Sequence, residues 1–150
     1  MKKVKVLTTA IALFFAASSF AINDEVTTIN SNVNTAFKKD FAAASEVVWQ
    51  KKEDVYFATF QLNNIHSEAA FNEAGDLIAL SKTVATNQLP LAISVSLSNT
   101  YQGYTIAKNA TEIMYENQTH YYLNISNGKT VVKLKCTVNG EIVVESKMKV

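Results

Sequence analysis

Few residues in this chain could do bond chemistry. Histidine occurs twice, at His66 and His120, and cysteine once, at Cys136. His66 and Glu68 stand two apart, which on an extended strand sets both on one face and could offer a surface metal pair. Neither histidine belongs to an H-E-x-x-H pattern, and no Ser lies in a Gly-x-Ser-x-Gly elbow, so the local signatures of metalloprotease and α/β-hydrolase chemistry are missing. Asp76 and Glu141 each follow a glycine, where an acidic residue builds a turn. The clusters "KKED" and "FKKD" read as solvated charge at element ends. The chain has no arginine, the usual bidentate holder of a carboxylate or phosphate, and leaves that work to lysines acting as point charges. The expectation is a non-enzymatic protein with no catalytic residues, no metal and no cofactor.

Cys136 has the character of a core residue. In "VVKLKCTV" it shares a strand face with Val132 and Leu134, and a free cysteine behaves there as a small hydrophobe. Being single, it forms no internal disulfide, so the fold must be held by its core. Asn-x-Ser/Thr sequons at Asn109, Asn117 and Asn124 read as chance in an Asn-rich chain and matter only where the host glycosylates.

The first 21 residues, "MKKVKVLTTAIALFFAASSFA", put Lys2, Lys3 and Lys5 before an apolar run from Val6 to Ala17 and end on Ser19 and Ala21. This is the pattern of a secretory signal peptide cleaved after Ala21, too short for a span of about 20 apolar residues. No transmembrane segment is expected, and the mature protein is periplasmic or secreted. Removing three lysines leaves 11 against 13 acidic residues, a net charge of −2. That balance, without arginine, argues against nucleic acid as a partner.

The elements that must carry these residues come in a pattern that returns. "FNEAGDLIAL" (71–80) reappears as "CTVNGEIVVE" (136–145), with Gly75 matched by Gly140, Asp76 by Glu141 and Phe71 by Cys136. At the same offset of 65, Tyr56, Ala58 and Phe60 fall on Tyr121, Leu123 and Ile125; upstream the offset slips to 60 and pairs Phe37 and Phe41 with Leu97 and Tyr101. The reading is a single domain, 22–150, of two tandem repeats at about 27–85 and 89–150.

In the first copy Ile29, Val33, Phe37 and Phe41 recur every four residues, predicting a helix over 27–41 with Asp24 or Thr28 as N-cap. Strands are predicted at 46–52, 55–62, 65–72 and 77–84. In the second copy "LAISVSLS" alternates like a strand, yet Pro90 suits a helix start and Ile93, Leu97 and Tyr101 keep the four-residue spacing; helix is preferred. Strands follow at 110–117, 119–126, 130–138 and 141–149. The fold class is therefore α+β, two tandem repeats of a helix plus a four-stranded antiparallel sheet, helices on one face.

Alternation separates the faces. Tyr56, Ala58, Phe60 and Leu62 should meet a helix, with Phe57 on the other side; Tyr121, Leu123 and Ile125 should do likewise, leaving His120 and Tyr122 opposite, beside Lys133 and Lys135. Phe57, Tyr122, His120, Lys133 and Lys135 are the expected partner-binding residues. Trp49 joins them as a candidate anchor, since Trp and Tyr dominate interface hot spots, although core packing suits its place in "EVVWQ", and Tyr115 lies in the roughly corresponding strand.

A helix ending in "FKKDF", then "VVWQKKEDVYFATF", "AAFNEAGDLIALSKTV", a "LP" opening the next helix, "YQGYTI" and a closing "VNGEIV" resembles the exported PepSY-like proteins grouped with the β-lactamase-inhibitor-like (BLIP-like) fold. The resemblance covers about residues 27–150 and rests on aromatic, Gly and Pro placements, without a catalytic signature. It implies a tandem helix-and-sheet fold whose concave sheet face is free. It also implies, by analogy of fold, restraint of an envelope or secreted enzyme. The expected function is an exported binding module for a protein or peptide. The alternative is a small-molecule or metal carrier using His66, Glu68 or His120.

Overall fold

The computed structural model describes residues 28–150. The expected signal peptide, its cleavage near Ala21, and Asp24 lie outside the described residues. Among the described residues, two α-helices and nine strands, antiparallel wherever their register is defined, make the protein α+β. Two compact units meet in sequence at Ser81 and Lys82.

In the first unit, α1 (Ser31–Asp40) precedes β1 (Ser45–Lys52), β2 (Val55–Leu62), β3 (Ile65–Asn72) and the start of β4 (Leu77–Ala85), a strand that runs on past the boundary. The helix starts later than its apolar spacing predicts because Asn30 caps it, its Oδ1 accepting from the Asn32 N–H at 2.8 Å. Lys38 and Lys39 lie in the last turn, where positive charge favours the helix dipole. Val33, Phe37 and Phe41 descend onto Tyr56, Ala58, Phe60, Ala69 and Phe71. Phe37 is the centre of this core, with ring centroids 5.1 Å from Trp49, 5.2 Å from Phe60 and 5.3 Å from Phe41. Edge-on and tilted ring pairs of this kind add to the gain from burial.

In the second unit, α2 (Leu91–Thr100) precedes β5 (Thr105–Ile106), β6 (Asn109–Tyr115), β7 (Gln118–Ser126), β8 (Thr130–Thr137) and β9 (Ile142–Lys149). Burial shows why 91–100 is helical despite its alternation. Ile93 and Leu97 are sealed, whereas Leu91 is 78 % and Val95 50 % exposed; a strand would have put all four on one face. Pro90 is the N-cap residue, without a side-chain cap bond. Ile93 and Leu97 pack on Ala110, Tyr121, Leu123, Ile125, Val132, Leu134 and Cys136. The short β5, which the sequence does not suggest, pairs Thr105 with Ser126 and Ile106 with Ile125.

Tight connections hold the registers. Asn63 and Asn64 between β2 and β3, and Glu116 and Asn117 between β6 and β7, all adopt positive φ, the left-handed pair a two-residue hairpin turn favours. At the β3–β4 turn, Gly75 has φ +89° and a Cβ there would stand 2.8 Å from the Asn32 carbonyl oxygen. At the β8–β9 turn, Gly140 has φ +87° and its Cβ would stand 2.6 Å from the Ala92 carbonyl oxygen. Each glycine thus lets a turn slide beneath the first turn of its own unit's helix. Asp76 accepts from Asn72 Nδ2 at 2.9 Å while its N–H donates to Asn72 Oδ1, which makes it a turn former as expected.

Candidate functional site

Register assigns the strand residues to faces. Ala58 pairs with Ala69 and Tyr56 with Phe71 under α1, so the intervening Phe57–Ala70 and Thr59–Glu68 pairs point away from the helix. On β4, Leu80 packs with the helix-side cluster, which turns Ala79 and Ser81 to the averted face. In the second unit Leu123 pairs with Leu134 under α2, leaving Tyr122–Lys135 and Asn124–Lys133 averted, with His120 one step along β7. Ile113, in register with His120, shares that face.

The averted faces therefore hold Phe57, Tyr122, His120, Lys133 and Lys135 as expected, but the two rings do not stand free. Phe57 is 4 % and Tyr122 6 % exposed. Period-two alternation distinguishes the two faces of a strand without stating how far either is covered. Trp49 is misplaced by the expectation. It pairs with Ala58 and packs edge-on against Phe37, on the helix side of β1, because the β1–β2 register turns it inward.

The electrostatics differ between the units. Glu68 is 9 % exposed, and burial pushes its carboxyl up to about 7. Tyr122 is pushed up to about 12, chiefly by burial and secondarily by Glu145. The Lys135 ammonium lies 5.9 Å from the Tyr122 ring centroid, within range of the ring's negative face. Burial first and Lys135 second lower the pKa of half-buried His120. Burial also lowers Lys133, partly offset by Glu145.

His66 is exposed while its strand neighbour Glu68 is buried, so the two do not form a surface pair of donors. Among the described residues, no group of three or more His, Cys, Asp or Glu side chains could hold a metal ion. Cys136 is fully buried beneath α2, its thiol raised to about 11 by burial, the environment of an inert core thiol. Sequence reasoning treated Glu68 only as a companion of His66. A sharper signal was "SEAAF", an acid in a strand segment apolar on both faces.

Among the described residues no helix is long and apolar enough to cross a membrane. No protein-family model and no curated protein matches the sequence. Solved structures do match. A BLIP-like protein from Bacteroides fragilis superposes with a TM-score of 0.69 at 19 % identity, over 83 % of this chain and 90 % of that one. A DUF2874 family protein from Bacteroides uniformis gives 0.68 at 20 % identity, over 81 % and 90 %. A third, from Bacteroides eggerthii and described as a periplasmic candidate, gives 0.68 at 18 % identity over 81 % and 89 %. With helix and strand faces placed as above, these likenesses establish that the chain has the BLIP-like fold.

Proposed function

We propose that this protein is an exported binding module that takes a protein or peptide segment on the strand faces turned away from its helices. The observation that carries this reading is the chemistry of those faces. On the second unit's averted face His120, Lys133 and Lys135 stand partly exposed beside the buried Tyr122, giving two lysines and an imidazole on one strand surface. Charged side chains held on rigid strands steer and orient a polypeptide of complementary charge. Periplasmic residence is supported by the description of one structural neighbour. By analogy of fold, the consequence of capture is restraint of an envelope or secreted enzyme.

We also infer that the two units descend from one duplicated unit. Gly75 and Gly140 each abut the carbonyl of the second residue of their helix, and Phe71 and Cys136 occupy equivalent registers against Tyr56 and Tyr121.

The test is an envelope pull-down with purified protein, read by mass spectrometry. A specific partner should be retained by the native sequence and lost with Lys133→Glu plus Lys135→Glu, while far-UV dichroism stays unchanged. Equal capture by both forms would remove the second unit's face from the site. Cleavage near Ala21 is checked by N-terminal sequencing of protein recovered from its own host.

A further inference from the structure

We propose that one end of the second unit's strands adsorbs to an anionic phospholipid surface, with Lys108, Lys129, Lys147 and Lys149 meeting the headgroup phosphates. This goes beyond the partner reading above and uses a strand end in place of the averted faces. Register brings the four lysines together although they are far apart in sequence. β7 ends at Ser126 and β8 begins at Thr130, so the connecting turn carries Lys129 at the tip of that hairpin. β9 returns antiparallel to β8, setting Lys149 beside Thr130, Met148 beside Val131 and Lys147 beside Val132. The Val150 N–H donates to the Lys129 carbonyl oxygen at 3.0 Å, which fastens the end of β9 to the turn. On the other flank of β7, Thr105 pairs with Ser126 and Ile106 with Ile125. The Ala107 N–H donates to the Asn124 carbonyl oxygen at 2.9 Å, which brings Lys108 to the same end. From β5 across β7 and β8 to β9 there are three strand spacings, about 15 Å.

Charge is segregated along these strands. The segments that form this end, 101–111, 124–132 and 146–150, contain no Asp or Glu. The opposite end carries Glu116 in the β6–β7 turn and Glu141 at the β8–β9 turn. All four lysines are exposed, and among the described residues none of their ammonium groups is ion-paired. A terminal carboxylate at Val150 would still leave a charge of 4 − 1 = +3 at this end. Apolar side chains stand among them, Ile106 at 39 %, Met148 at 64 % and Val150 at 85 % exposure.

That chemistry fits a phosphate-bearing layer. A surface that serves solubility mixes both signs of charge, and this end carries one. Lysine is a hydrated point charge without the planar fork that grips a single carboxylate or phosphate, so spaced lysines suit a diffuse anionic plane. Exposed Met, Ile and Val among lysines are the composition of surfaces that rest in a headgroup layer, charge outward and apolar groups at the acyl boundary. A second copy of the chain would bring the same positive charges to the contact and be repelled.

The test is co-sedimentation of the purified protein with vesicles of equal parts phosphatidylglycerol and phosphatidylcholine, against vesicles of phosphatidylcholine alone. At about 0.1 M salt binding should require phosphatidylglycerol, and at about 1 M salt it should be lost, because screening shortens the reach of the lysines. Both readings use the unaltered protein, so neither depends on a variant folding. Each lysine near an anionic leaflet strengthens partitioning by about fivefold, so Lys147→Gln with Lys149→Gln should weaken binding by roughly 25-fold. Lys38→Gln with Lys39→Gln removes the same charge from exposed positions at the end of α1 and should leave binding unchanged. No binding to the anionic vesicles overturns the proposal, and so does equal loss in the two variants, which would show net charge alone at work. Tighter binding to hexaglutamate than to an equal concentration of lipid phosphate would overturn it too, by assigning this end to an acidic polypeptide. Any of these failures leaves the envelope pull-down, which reads the averted strand faces, to stand or fall by itself.

Discussion

In the first unit the helix meets rings, and in the second, at the matching steps, it meets branched chains. Phe37 and Phe41 lie over Phe60, Phe71 and Trp49, whereas Ile93 and Leu97 lie over Ile125, Leu134 and Cys136. Phe71 and Cys136 are both fully buried at equivalent registers, against Tyr56 and Tyr121. One pattern of helix and hairpins therefore accepts two fillings, since close packing constrains total volume more than the identity of any one side chain. The helix-averted faces diverge in charge. The residue paired with Thr59 is Glu68, and the one paired with Asn124 is Lys133. What stays common is what a backbone demands: a glycine where the turn passes under the helix.

The largest expected effect tests the two fillings. Phe60→Ala should cost about 4 kcal/mol and Ile125→Ala about 3 kcal/mol in urea denaturation, because both side chains are 1 % exposed and the ring leaves the larger void. A smaller loss for Phe60 would show that the ring cluster relaxes into the gap better than the aliphatic core does.

Next comes the charge contrast. The Glu68 carboxyl titrates at 4.5 when free and near 7 in the fold, so the folded state holds the extra proton between those values. Stability should therefore be full below about pH 4.5 and fall as pH rises through about 7, by as much as about 3 kcal/mol. Glu68→Gln should flatten this slope and stabilise the protein at pH 8 while leaving it near native stability at pH 4. Thermal melts of both forms across that range decide it, and an unchanged slope would show that the carboxyl is solvated.

The shared glycines give a smaller effect. Gly140→Ala should cost about 2 kcal/mol through strain at positive φ and crowding against the helix. Gly75→Ala should cost somewhat less, since its nearest backbone oxygen is 2.8 Å away rather than 2.6 Å. Equal costs would locate the penalty in φ alone. Smallest is the cap. Asn30→Ala should lower stability by about 1 kcal/mol, whereas the second helix, begun at Pro90 without a side-chain cap, has no equivalent bond to lose.

Much of the fold was legible because it is locally encoded. Four-residue spacing placed Val33, Phe37, Ile93 and Leu97 inward, and the hairpins fall within a residue or two of their predicted ends. The first helix begins later than its spacing suggests, since the Asn30 cap outweighs one more apolar residue at Ile29. The candidate site was legible only in part. Alternation assigned Phe57, Tyr122, His120, Lys133 and Lys135 to the averted faces without recording that the two rings are covered, and hot-spot preference added Trp49, whose place in "EVVWQ" already suited the core it joins.

The order of elements, the inward stripe of each helix, the turn glycines and the paired strand faces were determined by the sequence itself, because each depends on residues a few positions apart. Only tertiary structure decided that Trp49 belongs to the Phe37 core, that Phe57 and Tyr122 are covered, and that Glu68 is withdrawn from water. Burial is a property of what distant parts of the chain bring against a side chain, and no local period records it.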